Sequence, residues 1–178
     1  MTDLIVTLVG ADRPGLVDGI AQAIVSHGGN WLESRMAHLA GKFAGILRVE
    51  VPAGRAPALS QALTDLTELG LRIVVEASTA GGEVMPSRAM EMDLLGMDRP
   101  GLVHQVSHLL AGLGVNVEEL TTDRTSAPMS GEMLFRARAR VLVPTNVDVA
   151  AMRTTLERLA HDLMVDIRLA DLGTAPTS

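Results

Sequence analysis

An α+β fold built twice over is what this sequence predicts, on three observations. The stretch "VGADRPGLVDGI" (residues 9–20) returns as "LGMDRPGLVHQV" (residues 95–106), so Asp98 follows Asp12 by 86 positions. In each copy an apolar run gives way, at the proline, to apolar residues at helical spacing. The 178 residues, 47% hydrophobic and 20% charged, have a globular balance with room for two small domains.

The first copy sets the order of elements. "DLIVTLV" (residues 3–9) reads as a strand, and the next helix, residues 14–27, carries Leu16, Ile20, Ala23 and Ile24 on one stripe. "NWLESRMAHLA" and "KFAGILRVEV", joined at Gly41, form an antiparallel hairpin. Pro52, Gly54 and Pro57 open a second helix on Leu59, Leu63 and Leu66; Gly70 stops it before the strand "LRIVVEA". The order is βαββαβ.

The second copy repeats it. Strand "MEMDLLG" leads into a helix from Pro100 to Leu113, with Leu102, Val106, Leu109 and Leu113 as its core stripe and Gly114 as its stop. A hairpin over residues 116–143 follows, then a helix on Met152, Leu156, Leu159 and Leu163 and the strand "VDIRLAD". Pro144 lies 92 positions after Pro52, so six extra residues sit around "TSAPMSGE" at the second hairpin's tip. The expected organisation is a first domain over 1–78, a connector over 79–89, a second domain over 90–172 and a frayed tail over 173–178.

Such a pattern gives a four-stranded antiparallel sheet with both helices on one face, the ferredoxin-like arrangement. Each half keeps a bare sheet face, which pairing within the chain or in a homo-oligomer would cover. In the first half that face carries Ile5, Thr7 and Val9 with Ala44, Ile46, Arg48 and Glu50; in the second, Glu91, Asp93 and Leu95 stand against Arg136, Arg138 and Arg140. The arginine stripe reads as an exposed cross-strand ladder, with partner docking as the alternative.

Charge and composition exclude several classes. The net charge is −6, shared as −3 on either side of Met85, and there are one Trp, two Phe and no Tyr. Neither half offers the positive field or the stacking faces that direct nucleic-acid binding requires. With no cysteine there is no disulfide, thiolate metal site or cysteine nucleophile. Nothing reads as a leader or membrane span, so a cytoplasmic location is expected.

The repeated proline and glycine bear on chemistry. A helix that follows a strand starts with unpaired N–H groups and about half a positive charge, which suit a small carboxylate. Asp12 and Asp98 could cap the helix or accept from an ammonium group. Asn30 recurs as Asn116, and its amide both donates and accepts. An Asp before Arg-Pro-Gly is equally an ordinary cap, and an Asn after Gly an ordinary turn residue.

"GADRPGLVDGIAQAIVSHGGNWLESRM" and "GMDRPGLVHQVSHLLAGLGVNVEEL" resemble ACT domains over nearly the whole chain. Two copies, with "ESRMAHLAGKFAGILRVEV" in the first hairpin, resemble the glycine cleavage system transcriptional repressor family. That resemblance implies a bacterial regulator that responds to glycine or a serine-like amino acid and acts through a DNA-binding transcription factor. The ligand positions it implies are Asp12, Arg13, Pro14, Gly15 and Asn30, and Asp98, Arg99, Pro100, Gly101 and Asn116.

Catalysis and cofactors are not expected. His104 and His108 have the i, i+4 spacing of a metal pair, but they face away from the core stripe and lack ligand companions; Asp18 and Gln22 replace them in the first copy. Neither Ser34 nor Ser130 sits in a nucleophile elbow. The ten methionines read as gap-filling core. Two function classes remain: an amino-acid sensor, or a non-catalytic adaptor whose repeats only pair sheets and bind no amino acid.

Overall fold

The computed structural model describes residues 1–78, 85–127 and 131–172. The chain divides into two compact units, Met1–Gly82 and Glu83–Ser178, called modules 1 and 2 below. Module 1 holds β1 (Thr2–Ala11), α1 (Leu16–Ser26), β2 (Asn30–Leu39), β3 (Lys42–Val51), α2 (Ala56–Asp65) and β4 (Leu71–Ala77). Module 2 holds β5 (Ser87–Met97), α3 (Leu102–Gly112), β6 (Asn116–Ser126), β7 (Met133–Pro144), α4 (Val149–Leu163) and β8 (Val165–Asp171). The sheets run β2-β3-β1-β4 and β6-β7-β5-β8, with every pairing antiparallel. Both are the ferredoxin-like arrangement that the repeated pattern predicts.

Alternation along β1 puts Leu4, Val6 and Leu8 under the helices, where they meet Leu47, Val49 and Val51 of β3 and the buried Leu16, Ile20 and Ile24 of α1. Leu59 and Leu63 of α2 close the other half of that layer. Module 2 repeats the layer with Met90, Met92 and Leu94, then Ala137, Ala139, Val141 and Val143. No polar side chain is fully buried in either core among the described residues.

Gly10 and Gly96 occupy equivalent places where a side chain has no room. A Cβ on Gly10 would lie 2.5 Å from the Gly70 carbonyl oxygen, and one on Gly96 would lie 2.4 Å from Cγ1 of Val165. In each module this close approach seats the last strand against the first.

The bare faces match the expected register. Glu91, Asp93 and Leu95 lie opposite Arg140, Arg138 and Arg136. The ion pairs, however, run on diagonals: Arg136 reaches Asp93 at 2.7 Å, and Arg140 reaches Glu118 at 2.9 Å. Arg136, by donating to Asp93, holds that carboxyl below its ordinary value. In module 1 the same face exposes Val9, Ile46 and Val74.

Four expectations change. α1 and α3 begin at Leu16 and Leu102, so Pro14 and Pro100 belong to the preceding turns. The buried stripe of α3 is Leu102, Val106 and Leu110, with Leu109 and Leu113 only partly covered. β5 starts at Ser87, inside the expected connector, because Ser87, Arg88 and Ala89 pair with Pro144, Val143 and Leu142. Of the methionines, Met90, Met92 and Met152 are core, whereas Met1, Met85, Met97, Met133 and Met164 are exposed. Residues 79–84, 128–130 and 173–178, which include most of the connector, Ser130 and the tail, lie outside the described residues.

Candidate functional site: the open tips of the first helix in each module

The loop after each first strand is tied to the hairpin beside it. The Asp12 amide donates to the Gly41 carbonyl at 3.0 Å, and the Asp98 amide to that of Met133 at 2.9 Å. The chain then turns through Arg-Pro, and a glycine in the left-handed region, Gly15 at φ 91° or Gly101 at φ 92°, takes the N-cap. Only glycine adopts that φ without strain, which is why the sequence places it there.

A glycine cap offers no side chain, and neither helix has a side-chain N-cap bond. α2 has none either, and α4 alone of the four described α-helices is capped by a side chain: Asp148 Oδ1 accepts from the amides of Ala150 at 2.9 Å and Ala151 at 3.2 Å. Nothing stands within 4 Å of where a Cβ on Gly15 would be, and at Gly101 only Gln105 Nε2 comes near, at 3.6 Å. The tips of α1 and α3 thus present first-turn amides and a positive helix end outward.

The side chains around the tips differ. Gly41 donates its amide to His38 Nε2 at 3.2 Å, so that nitrogen is an acceptor. Asp12 Oδ2 stands 3.7 Å from the same nitrogen. In module 2 the matching pair is Asp98 and Arg124, an ion pair at 2.6 Å with Asp98 23% exposed against 44% for Asp12. Arg13 lies against Gly70, where a Cβ would come within 2.4 Å of its Nη2. Arg99 keeps a buried Nε with no hydrogen-bond partner. Lys42, the chain's only lysine, lines an open cleft of about 540 Å³ with Thr67, Gly70 and Arg72.

Asn30 and Asn116 are elsewhere in their modules. Asn30 is opposite Glu50, which pairs with Asp3 at the start of β1, whereas Asp12 follows the end of β1. The two are separated by the length of β2, roughly 30 Å at the rise of a strand. Asn116, opposite Leu142, is likewise at the far end of β6 from Asp98. Within one module the loop residues come together and the asparagine does not join them.

His38 and Arg124 were not among the sequence candidates, although they share the 86-residue offset of the two loops. His104 and His108 have ring centroids 5.9 Å apart on the exposed side of α3. No group of three or more potential metal ligands occurs among the described residues. No helix among them is long and apolar enough to cross a membrane.

Residues 2–76 match the ACT domain family, and module 2 repeats the same topology and Asp-Arg-Pro-Gly loop. Module 1 is thus similar to ACT domains, and module 2 shares its topology. The chain is 26% identical over 162 residues to the glycine cleavage system transcriptional repressors of Escherichia coli (strain K12) and Shigella flexneri, a match that covers 90% of this chain and 85% of each relative. Among solved structures, the chain is similar to an unknown protein from Galdieria sulphuraria, with 31% identity and a TM-score of 0.87 over 96% of this chain and 98% of that one. It shares its fold with a candidate glycine cleavage system transcriptional repressor, at 18% identity and a TM-score of 0.67 over 94% and 95% of the two chains.

Proposed function

We propose that this chain is a tandem ACT protein, a non-catalytic regulator that senses a small amino acid, glycine or one like serine, and acts through a DNA-binding transcription factor. The observation that carries the reading is the matching pair of helix tips, each led by a left-handed glycine after Asp-Arg-Pro and with no side chain capping it. A carboxylate accepts from such amides, and the exposed carboxylate of Asp12 suits the ammonium group of the same molecule. The sensing and partner roles also draw support from the likeness to glycine cleavage repressors, and the net charge of −6 favours an indirect route to DNA.

The separation of loop and asparagine gives this reading a structural requirement. A site that uses both Asp12 and Asn30 must be completed by a second module, so ligand binding and assembly are linked. The exposed Val17, Val25 and Leu32 on α1 and at the start of β2 provide apolar surface for such pairing.

Calorimetry with glycine, serine and a panel of other amino acids tests the proposal, repeated on Asn30→Ala and Asn116→Ala. Saturable binding of a small amino acid, weakened by the substitutions, is expected. Binding that survives both substitutions removes the asparagines from the site; no binding of any amino acid leaves the adaptor reading.

A further inference from the structure

Module 2 contains a void whose counterpart in module 1 is filled. Between α3 and the β6–β7 half of the sheet, Met92, Leu94, Val106, Leu110, Ala137 and Ala139 surround a slot of about 30 Å³. Register identifies the equivalent residues. Leu47 of module 1 lies between Val6 and Ser34, as Ala139 lies between Met92 and Leu120; Gly45 faces Met36, as Ala137 faces Thr122. Leu47 is fully buried, and Met36 packs so closely over Gly45 that a Cβ there would be 2.5 Å from its Cγ. Module 2 has Ala139 and Thr122 in place of that leucine and methionine, and Met92 and Ala137, larger than Val6 and Gly45, line what is left open.

The bulk has moved to Leu120, but Leu120 does not refill the slot. It is 48% exposed and stands at the mouth with Val103, which is 43% exposed. Ser107 brings the one hydroxyl in the lining, and it already donates to the His104 carbonyl at 3.1 Å. A slot lined this way has nothing to hold water and stays dry until an apolar group enters. Its volume is about twice that needed by one water-sized sphere. That matches the end of an isopropyl group, the piece by which Leu47 exceeds Ala139.

The mouth also has a direction. Leu120, Thr122 and Arg124 alternate onto the helix side of β6, so the slot opens on the side of the sheet that carries the Asp98–Arg124 ion pair. That pair displays one acid and one base, the complement of a zwitterion.

We propose that module 2 takes the branched side chain of an aliphatic amino acid, valine, leucine or isoleucine, into this slot. The inference rests on the sensing reading above and narrows it for one of the two modules: module 1, with Leu47 and Met36 in place, has room only for the smallest ligands, and module 2 prefers aliphatic ones.

The test combines calorimetry of glycine, valine and leucine on the full chain with methyl NMR of Ala137 and Ala139 during titration with isobutanol. Leucine or valine binding about ten-fold tighter than glycine is expected, the usual discrimination of an apolar pocket by added methylenes. Leu120→Ser combined with Ala139→Leu installs the module 1 pair at conserved volume; it removes the aliphatic preference and leaves glycine binding as it was. Ala139→Val, a smaller filling, gives the same direction should the double variant fail to fold. Isobutanol shifts both methyls in the unsubstituted protein and leaves that of Ala137 unmoved in the filled variants. Leucine no better than glycine, or a preference that survives filling, overturns the slot while the sensing reading stands. No amino acid binding beside an intact isobutanol response overturns the sensing reading and the amino acid as occupant. Absence of both responses overturns the slot outright.

Discussion

Asp12 in module 1 stands 3.7 Å from His38, whereas Asp98 in module 2 is held by Arg124 at 2.6 Å. The bare sheet faces diverge as well: Val9, Ile46 and Val74 are exposed on one, and an acid–arginine ladder covers the other. What stays the same is set by the backbone. Gly10 and Gly96 permit the close strand approach, and Gly15 and Gly101 supply the left-handed cap. Duplication has kept what a backbone cannot do without and has altered the side chains that decide what each copy touches.

The largest effect expected from breaking this correspondence comes from its glycines. Gly10→Ala sets a methyl 2.5 Å from a backbone oxygen that cannot swing aside, and the cost expected in urea unfolding is about 3 kcal/mol. Gly96→Ala carries a comparable cost, because turning the Val165 side chain still leaves its Cβ at 2.8 Å and its Cα at 3.0 Å. Clearly unequal costs would mean that the two approaches are not equally rigid.

A second asymmetry lies after the last helix of each module. Gly70 caps its turn at φ 70°, but Met164 holds the matching position at φ 52° while its side chain is 77% exposed. Met164→Gly relieves that conformation without losing packing and raises stability by about 1 kcal/mol. Gly70→Ala does the reverse and also drives Arg13 from its place. Thermal melts of both variants check the opposed signs.

The smallest effect concerns charge. The Asp93 carboxyl lies below its ordinary value of 3.8, chiefly because Arg136 donates to it. A carboxyl lowered on folding stabilises the folded state above its unfolded value and loses that contribution as the pH falls through its folded value. Asp93→Asn therefore weakens module 2 by about 0.2–1 kcal/mol at neutral pH, and the difference from the unsubstituted protein closes below about pH 4. The matching residue of module 1, Thr7, carries no charge, so Thr7→Ala gives a difference that does not vary with pH. Denaturant midpoints between pH 3 and 7 separate the two.

Period-two alternation and turn residues made the strands and hairpins legible, because a one-residue slip would turn Leu4, Val6 and Leu8 of β1 out of the core. Helix starts were less so. Proline suits a first helical turn and a preceding turn equally, and only the positive φ of Gly15 and Gly101 decides between them. In α3 the adjacent Leu109 and Leu110 both fit a helical stripe, and packing chooses Leu110. Ser87–Ala89 look like connector because their small or charged side chains hide a pairing that β7 imposes.

The site was partly legible. The repeat located both loops, but His38 and Arg124 carry no motif and gain meaning only through the hairpin that folds them back. The distance from loop to asparagine is a property of strand direction that spacing along the chain conceals. The slot was hidden by the six-residue insertion, which aligns Ser34 with Leu120 at one offset and Leu47 with Ala139 at another. Only the strand register sets the two pairs side by side.

Lys42 gives this asymmetry a practical use. Since it is the chain's sole lysine and sits next to Gly41, the residue that tethers the Asp12 loop, an amine-directed fluorophore labels one side chain besides the α-amine of Met1. Module 2, with Leu134 in the corresponding place, stays dark. A reporter at that point follows events at one tip of a duplicated protein without interference from its twin.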